Sequence, residues 1–140
     1  MSKKSIFTCV QRDIVHPLNW SFKEFGDQIT VKYFDKVKQL GDALETEDCS
    51  VLILDSIVSN EPTLDFAKEL KNKKPSIKIL LVVSIGTTKE EIMDIIKLKI
   101  VSGVLIRPFT VEQVSDYIIK LCGFPKPEET PWFMQTGKNI

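Results

Sequence analysis

Three residues in this chain stand where chemistry is done in many α/β proteins. Asp55 closes the apolar run Val51-Leu52-Ile53-Leu54-Asp55. Ser84 closes Ile79-Leu80-Leu81-Val82-Val83-Ser84, and Arg107-Pro108-Phe109 follows Val104-Leu105-Ile106. A carboxylate, a hydroxyl and a cation therefore sit at the ends of three successive buried-looking strands. In an open parallel sheet such ends lie side by side, and ligands bind there.

The elements that would position these groups follow from periodicity. Ser5–Val10 reads as a first strand. His16-Pro17 opens a helix, because proline suits a first turn; Leu18, Phe22 and Phe25 share its inner face and Gly26 stops it. Ile29–Phe34 is a second strand. Asp35 is a plausible N-cap for a helix with Val37, Leu40 and Leu44 on one face. Ser50–Asp55 is the third strand. A loop, Ser56–Pro62, leads to a helix over 64–73 capped by Thr63, and Ile77–Ser84 is the fourth strand. Thr87-x-x-Glu90 and Thr88-x-x-Glu91 both fit a capping box, and Ile92, Ile95 and Ile96 form the apolar face behind it. Gly103–Ile106 is the fifth strand. Thr110-x-x-Gln113 opens a last helix bearing Val111, Val114, Tyr117, Ile118 and Leu121, stopped by Gly123.

Five β-α units result. Strands three to five are continuous apolar runs, as strands covered on both faces should be. The expected fold is α/β: a doubly wound (βα)5 parallel five-stranded sheet with helices on both faces. Residues 1–123 form the domain and 124–140 a proline-rich tail, in which Trp132-Phe133-Met134 either folds back or is an exposed docking peptide.

The order, spacing and Pro-Phe after the cation resemble the receiver domain of two-component response regulators, over about residues 4–123. The resemblance implies flavodoxin-like strand order 2-1-3-4-5. It puts Asp55 at the phosphoacceptor position and Ser84 at the hydroxyl that contacts a phosphoryl oxygen. It puts Arg107, where the family normally has lysine, at the cation, and Pro108 at the family's cis-proline. Arginine keeps the charge but is a planar fork on a longer stem, so the exchange is not conservative.

Other positions depart from that family. Two adjacent acidic residues should follow the first strand and hold Mg²⁺; here stand Gln11-Arg12, with Asp13 one place later. Asp13 and Asp55 are the candidate ligands left for Mg²⁺, a poorer donor set than the family's, and no other cofactor is expected. Metal and positioning supply nearly all the catalysis of phosphoryl transfer, so losing the pair should impair phosphorylation. Arg12 is a candidate to place its own cation beside Asp55 where the metal belonged. Methionine-proline after the aspartate is Val58-Ser59 here. The switch aromatic in the fifth strand is Val104, and the acidic residues before it are Ser102-Gly103.

Two functional readings stand. One is an atypical receiver, or pseudo-receiver: a non-enzymatic protein-interaction module in bacterial signalling, using the face of the fourth helix, fifth strand and fifth helix. Lys89, Lys97 and Lys99 are its exposed candidates there, with Tyr117 fitting the core stripe better. The other is a working phosphoacceptor that takes a phosphoryl group at Asp55 from a histidine kinase. The partner would be a signalling protein, either a histidine kinase or an output protein.

Composition narrows the alternatives. Nineteen basic and nineteen acidic residues cancel, so no basic excess argues for nucleic acid, and no room follows the last helix for a helix-turn-helix unit. No apolar run spans a bilayer, and the start has no signal-peptide pattern, which points to the cytoplasm. Cys9, Cys49 and Cys122 read as reduced thiols; zinc would need more ligands at closer spacing. The one histidine, His16, reads as a helix start and not as a triad base. A flavodoxin-like cofactor site would need a Gly-, Ser- or Thr-rich phosphate cradle after the first strand. Gln11-Arg12-Asp13-Ile14-Val15 is not one.

Overall fold

A computed structural model describes residues 3–125. Its elements alternate: β1 Lys4–Cys9, α1 Val15–Phe22, β2 Ile29–Phe34, α2 Val37–Thr46, β3 Val51–Asp55, α3 Leu64–Lys73, β4 Lys78–Val83, α4 Lys89–Lys97, β5 Gly103–Ile106 and α5 Val111–Cys122. The strands form one sheet in the order β2-β1-β3-β4-β5, and every pairing in it is parallel. This is the doubly wound architecture and strand order the sequence predicts.

Alternation along the strands divides the core in two. Ile6, Ile53, Leu80, Val82 and Leu105 point to one face, where they meet Leu18 and Phe22 of α1 and Val114, Ile118 and Leu121 of α5. Phe7, Leu52, Leu54, Ile79 and Leu81 point to the other, against Leu40, Leu44, Ala67 and Leu70. Each fully buried Leu, Ile or Phe contributes about 1.5–3 kcal/mol. Every residue of β3 is buried, which carries the backbone of Asp55 to the sheet's C-terminal edge on a rigid support.

Boundaries follow local chemistry. Gly26 takes a positive φ of 49° within the 3-10 segment Lys23–Gln28 that ends the α1 region. Gly123 is left-handed and closes α5, with the Phe124 N–H returning to the Ile119 carbonyl. Thr88, not Thr87, caps α4 in a full capping box with Glu91, and Thr110 does the same for α5 with Gln113.

Three local expectations need correction. Asp35 is not an N-cap: α2 begins one residue later, with Lys36 extended in the cap position and no side-chain cap bond. The segment Ser56–Pro62 is not an open loop. Ile57–Val58 and Glu61–Pro62 pair antiparallel, turned by Ser59 and Asn60, both at positive φ. Two positive-φ residues are what a tight hairpin turn demands; Ser-Asn lacks the glycine that usually announces one. Thr63 occupies the cap position of α3 without capping it, because its hydroxyl is engaged elsewhere. From Lys126 onward, including Trp132-Phe133-Met134, the tail lies outside the described residues.

Candidate functional site

Asp55 is wholly buried, and its carboxylate is fully engaged. Arg107 grips it with both ends of its fork: Nη1 donates to Oδ1 at 2.9 Å and Nη2 to Oδ2 at 2.5 Å. The backbone N–H of Gln11 donates to Oδ2 at 3.0 Å. Three donors on one carboxylate, two of them charged, make the bidentate pairing that arginine favours and a lysine point charge does not. The pairing with Asp55 holds the guanidinium pKa above its ordinary value, more than offsetting the opposing effect of burial. The Thr63 hydroxyl donates to the Asp55 carbonyl at 2.5 Å, tying the strand end to the start of α3.

Nη2 of Arg107 also reaches Oδ1 of Asp13 at 3.3 Å. Asp13 is the exposed member of this pair and Asp55 the buried one, so the outer bridge is worth far less than the inner one. The result is a carboxylate–guanidinium–carboxylate triad in which Arg107 stands between Asp13 and Asp55. Arg12 is the correction here. It is exposed, and Arg107, not Arg12, supplies the cation beside Asp55. Arg12 lies in the short 3-10 turn Arg12–Ile14, whose one buried side chain, Ile14, anchors it to the core.

Mg²⁺ demands octahedral oxygen coordination. The donors that would hold it are Asp13 and Asp55, and both accept from the same guanidinium nitrogen. A cation between them would have to expel Arg107. Among the described residues no cluster of three or more His, Cys, Asp or Glu side chains converges to supply more ligands. The residues present therefore do not fit the metal as they are arranged.

Ser84 stands one residue past β4 and is exposed. Its hydroxyl lies 3.1 Å from that of Thr87, in the loop before α4. The structure does not join it to Asp55 by a hydrogen bond. Pro108 follows a cis peptide bond, as the resemblance implies. The Arg107 N–H is held by the Val83 carbonyl at 3.0 Å, continuing the β4–β5 ladder by one rung beneath the ion pair.

Sequence reasoning brought Asp55, Arg107 and Asp13 to one sheet edge but missed the contacts made by three residues, Gln11, Thr63 and Tyr117. Gln11 contributes a backbone donor, and its side-chain amide bonds the Ile57 carbonyl at 3.0 Å, joining the β1 loop to the hairpin. Thr63 contributes its hydroxyl. Tyr117 of α5 lays its ring over Gly103 so closely that a Cβ there would sit 2.4 Å from a ring carbon. The Tyr117 hydroxyl donates to the Val104 carbonyl at 3.0 Å. The one available signal for this slot was a glycine opening an otherwise apolar strand.

Cys9 ends β1 next to this site. Burial first, and then the charges of Asp55 and Asp35, push its thiol up to about 12. Such a thiol is inert as a nucleophile at neutral pH.

The fold is the one found in solved response-regulator receiver domains. A response regulator from Thermotoga maritima superposes with a TM-score of 0.72 at 11% identity, over 87% of this chain and 99% of that one. Full-length FixJ from B. japonicum gives 0.73 at 19% identity, over 91% of this chain and 61% of FixJ. The signal receiver domain of a LuxO-type repressor from Vibrio parahaemolyticus gives 0.75 at 8% identity, over 88% and 92%. At these identities the likeness is one of fold. No protein-family model and no curated protein matches the sequence.

Proposed function

We propose that this receiver fold is a protein-interaction module in bacterial signal transduction whose Mg²⁺-dependent phosphorylation at Asp55 is impaired. One observation carries the reading: both oxygens of the buried Asp55 are already taken, by the Arg107 fork and the Gln11 N–H. In-line phosphoryl transfer needs a free carboxylate oxygen and charge neutralisation around the transferred group. Here the neutralising charge is spent on the acceptor itself. Vacating the site means separating a bidentate pair whose carboxylate is buried, and a buried charge left without its partner is strongly disfavoured.

Function then rests on the surface. By resemblance the face is that of α4, β5 and α5, which carries exposed Met93, Ile96, Ile106 and Val111 beside exposed Lys89, Lys97 and Lys99. Exposed apolar side chains rimmed by lysines suit a protein partner, such as a kinase or an output protein in the cytoplasm. No enzymatic activity is assigned to the module. Neutral net charge opposes nucleic acid as the partner. None of the helices among the described residues is long and apolar enough to cross a membrane.

Titration with Mg²⁺ tests the blocked site. The amide NMR signals of Gln11, Asp55 and Ser56 should stay fixed through millimolar Mg²⁺. A saturable shift at those amides would sink the idea.

A second reading, phosphorylation of Asp55 by a histidine kinase, is favoured by the Ser84 hydroxyl. It is exposed and held only by its loop neighbour Thr87 among the described residues, so it is free to turn toward a phosphoryl group. That reading requires Arg107 to leave Asp55 first.

A further inference from the structure

A groove of about 380 Å³ lies at the opposite edge of the sheet from α4, between the α1 region and β2. Phe22, Ile29 and Val31 supply its apolar walls, Gly26 opens its floor, and Asn19 and Lys23 form a polar rim. Its size is within the range of pockets that hold compact apolar groups. β2 is an edge strand, and its outer backbone edge pairs with nothing in the sheet. Uncovered edges invite association, and proteins usually cover them.

The described chain ends one residue past Phe124, which packs on the segment that forms one side of this groove. Phe124 stacks on Phe25, with ring centroids 5.9 Å apart, and Phe25 belongs to the Lys23–Gln28 segment that also gives the groove Lys23 and Gly26. Trp132-Phe133-Met134 is the one run of large apolar residues beyond that point, and Trp132 follows Phe124 by eight positions. Eight extended residues span up to about 26–29 Å, ample for an element that starts one packed ring away. The intervening segment carries Glu128-Glu129, opposite in sign to Lys23 on the rim. Lys23 lies 4.9 Å over the ring of Trp20, itself 65% exposed, so the rim already presents an aromatic surface.

We propose that Trp132-Phe133-Met134 docks within its own chain into the groove between α1 and β2, covering the β2 edge. Occupancy by a second copy or by another protein is then an alternative that the test separates.

The test uses the full chain. Trp132→Ala should move the amide signals of Gly26, Ile29 and Val31 and leave those of α3 and α4 in place. Unchanged signals at all three, or shifts confined to another face, would overturn the proposal. A Trp20→Phe chain keeps Trp132 as its one tryptophan. Its emission should be blue-shifted from that of the same chain in denaturant, and independent of protein concentration. Adding Asn19→Glu at the exposed rim, which sets like charge against Glu128-Glu129, should return it toward the denatured value without touching the core. Emission equal to the denatured chain overturns the docking. A blue shift indifferent to Asn19→Glu, or one lost on dilution, assigns the tail to another surface or to a second copy and also overturns it.

Discussion

α4 and α5 begin alike and are held differently. Each opens with a threonine N-cap whose hydroxyl accepts the N–H three residues on, and whose own N–H is bonded by the Glu or Gln side chain at that position. Both are amphipathic. Yet α5 buries Val114, Ser115, Ile118, Leu121 and Cys122, while α4 buries none of its residues and leaves Met93 and Ile96 nearly half exposed. The two helices flank β5, the strand that leads into Arg107. Equal caps and unequal burial mean that α5 is fixed by packing, whereas α4 is held largely by its own turn chemistry and a thin contact through Ile95. A helix of that kind belongs to the low-stability end of a fold. It is also the helix that leaves Met93 and Ile96 exposed on the proposed interaction face.

Core truncation should separate the two helices most. Ile118→Ala removes a fully buried side chain and should cost about 2–5 kcal/mol. Ile96→Ala on the α4 surface should stay within about 0.5 kcal/mol. Urea unfolding of the two variants compares them, and equal losses would erase the distinction. Gly103→Ala should come next. The new methyl meets the Tyr117 ring, and overpacking of this kind costs about 1–3 kcal/mol. The variant Tyr117→Ala should restore what Gly103→Ala loses more than it would in an independent background, a coupling that a double-mutant cycle reads.

Smaller effects should erase the difference instead of sharpening it. Thr88→Ala and Thr110→Ala each remove one cap and should each cost about 1 kcal/mol, equal in the two helices despite their unequal burial. The thiols give the last effect. Burial pushes Cys9 up to about 12 and raises Cys122 on α5. The folded state therefore keeps protons that the unfolded chain gives up above 9.0, so stability should fall as pH rises from there toward 12. Cys9→Ala should flatten that slope in a denaturation series across alkaline pH. An unchanged slope would place its origin elsewhere.

Much of this was legible in the sequence because burial on both faces writes itself as continuous apolar runs. β3 and β4 were readable to within a residue or two at either end, and spacing alone gave the Thr110 capping box, while at α4 it left Thr87 and Thr88 as alternatives. The hairpin at Ser59-Asn60 was not, because positive φ at a serine has no compositional mark. At the site, the residue types at the strand ends identified Asp55 and Arg107. The choice between Arg12 and Arg107 as the partner of Asp55 was beyond reach. It depends on where a short 3-10 turn aims a side chain, and Ile14, by taking the core position, leaves Arg12 outside. The second oxygen bond from the Gln11 backbone was equally hidden, since any residue at that place supplies an N–H.

Arg107 occupies the Asp55 carboxylate, and on the proposed reading this keeps a phosphoryl group off it. Intact mass after incubation with Mg²⁺ and acetyl phosphate tests it most directly, with wild type beside Asp55→Ala. The expected result is an unmodified wild-type mass from a folded protein. A phosphoryl adduct on wild type that is missing from Asp55→Ala would contradict it, and would show that the guanidinium yields to the incoming phosphoryl group.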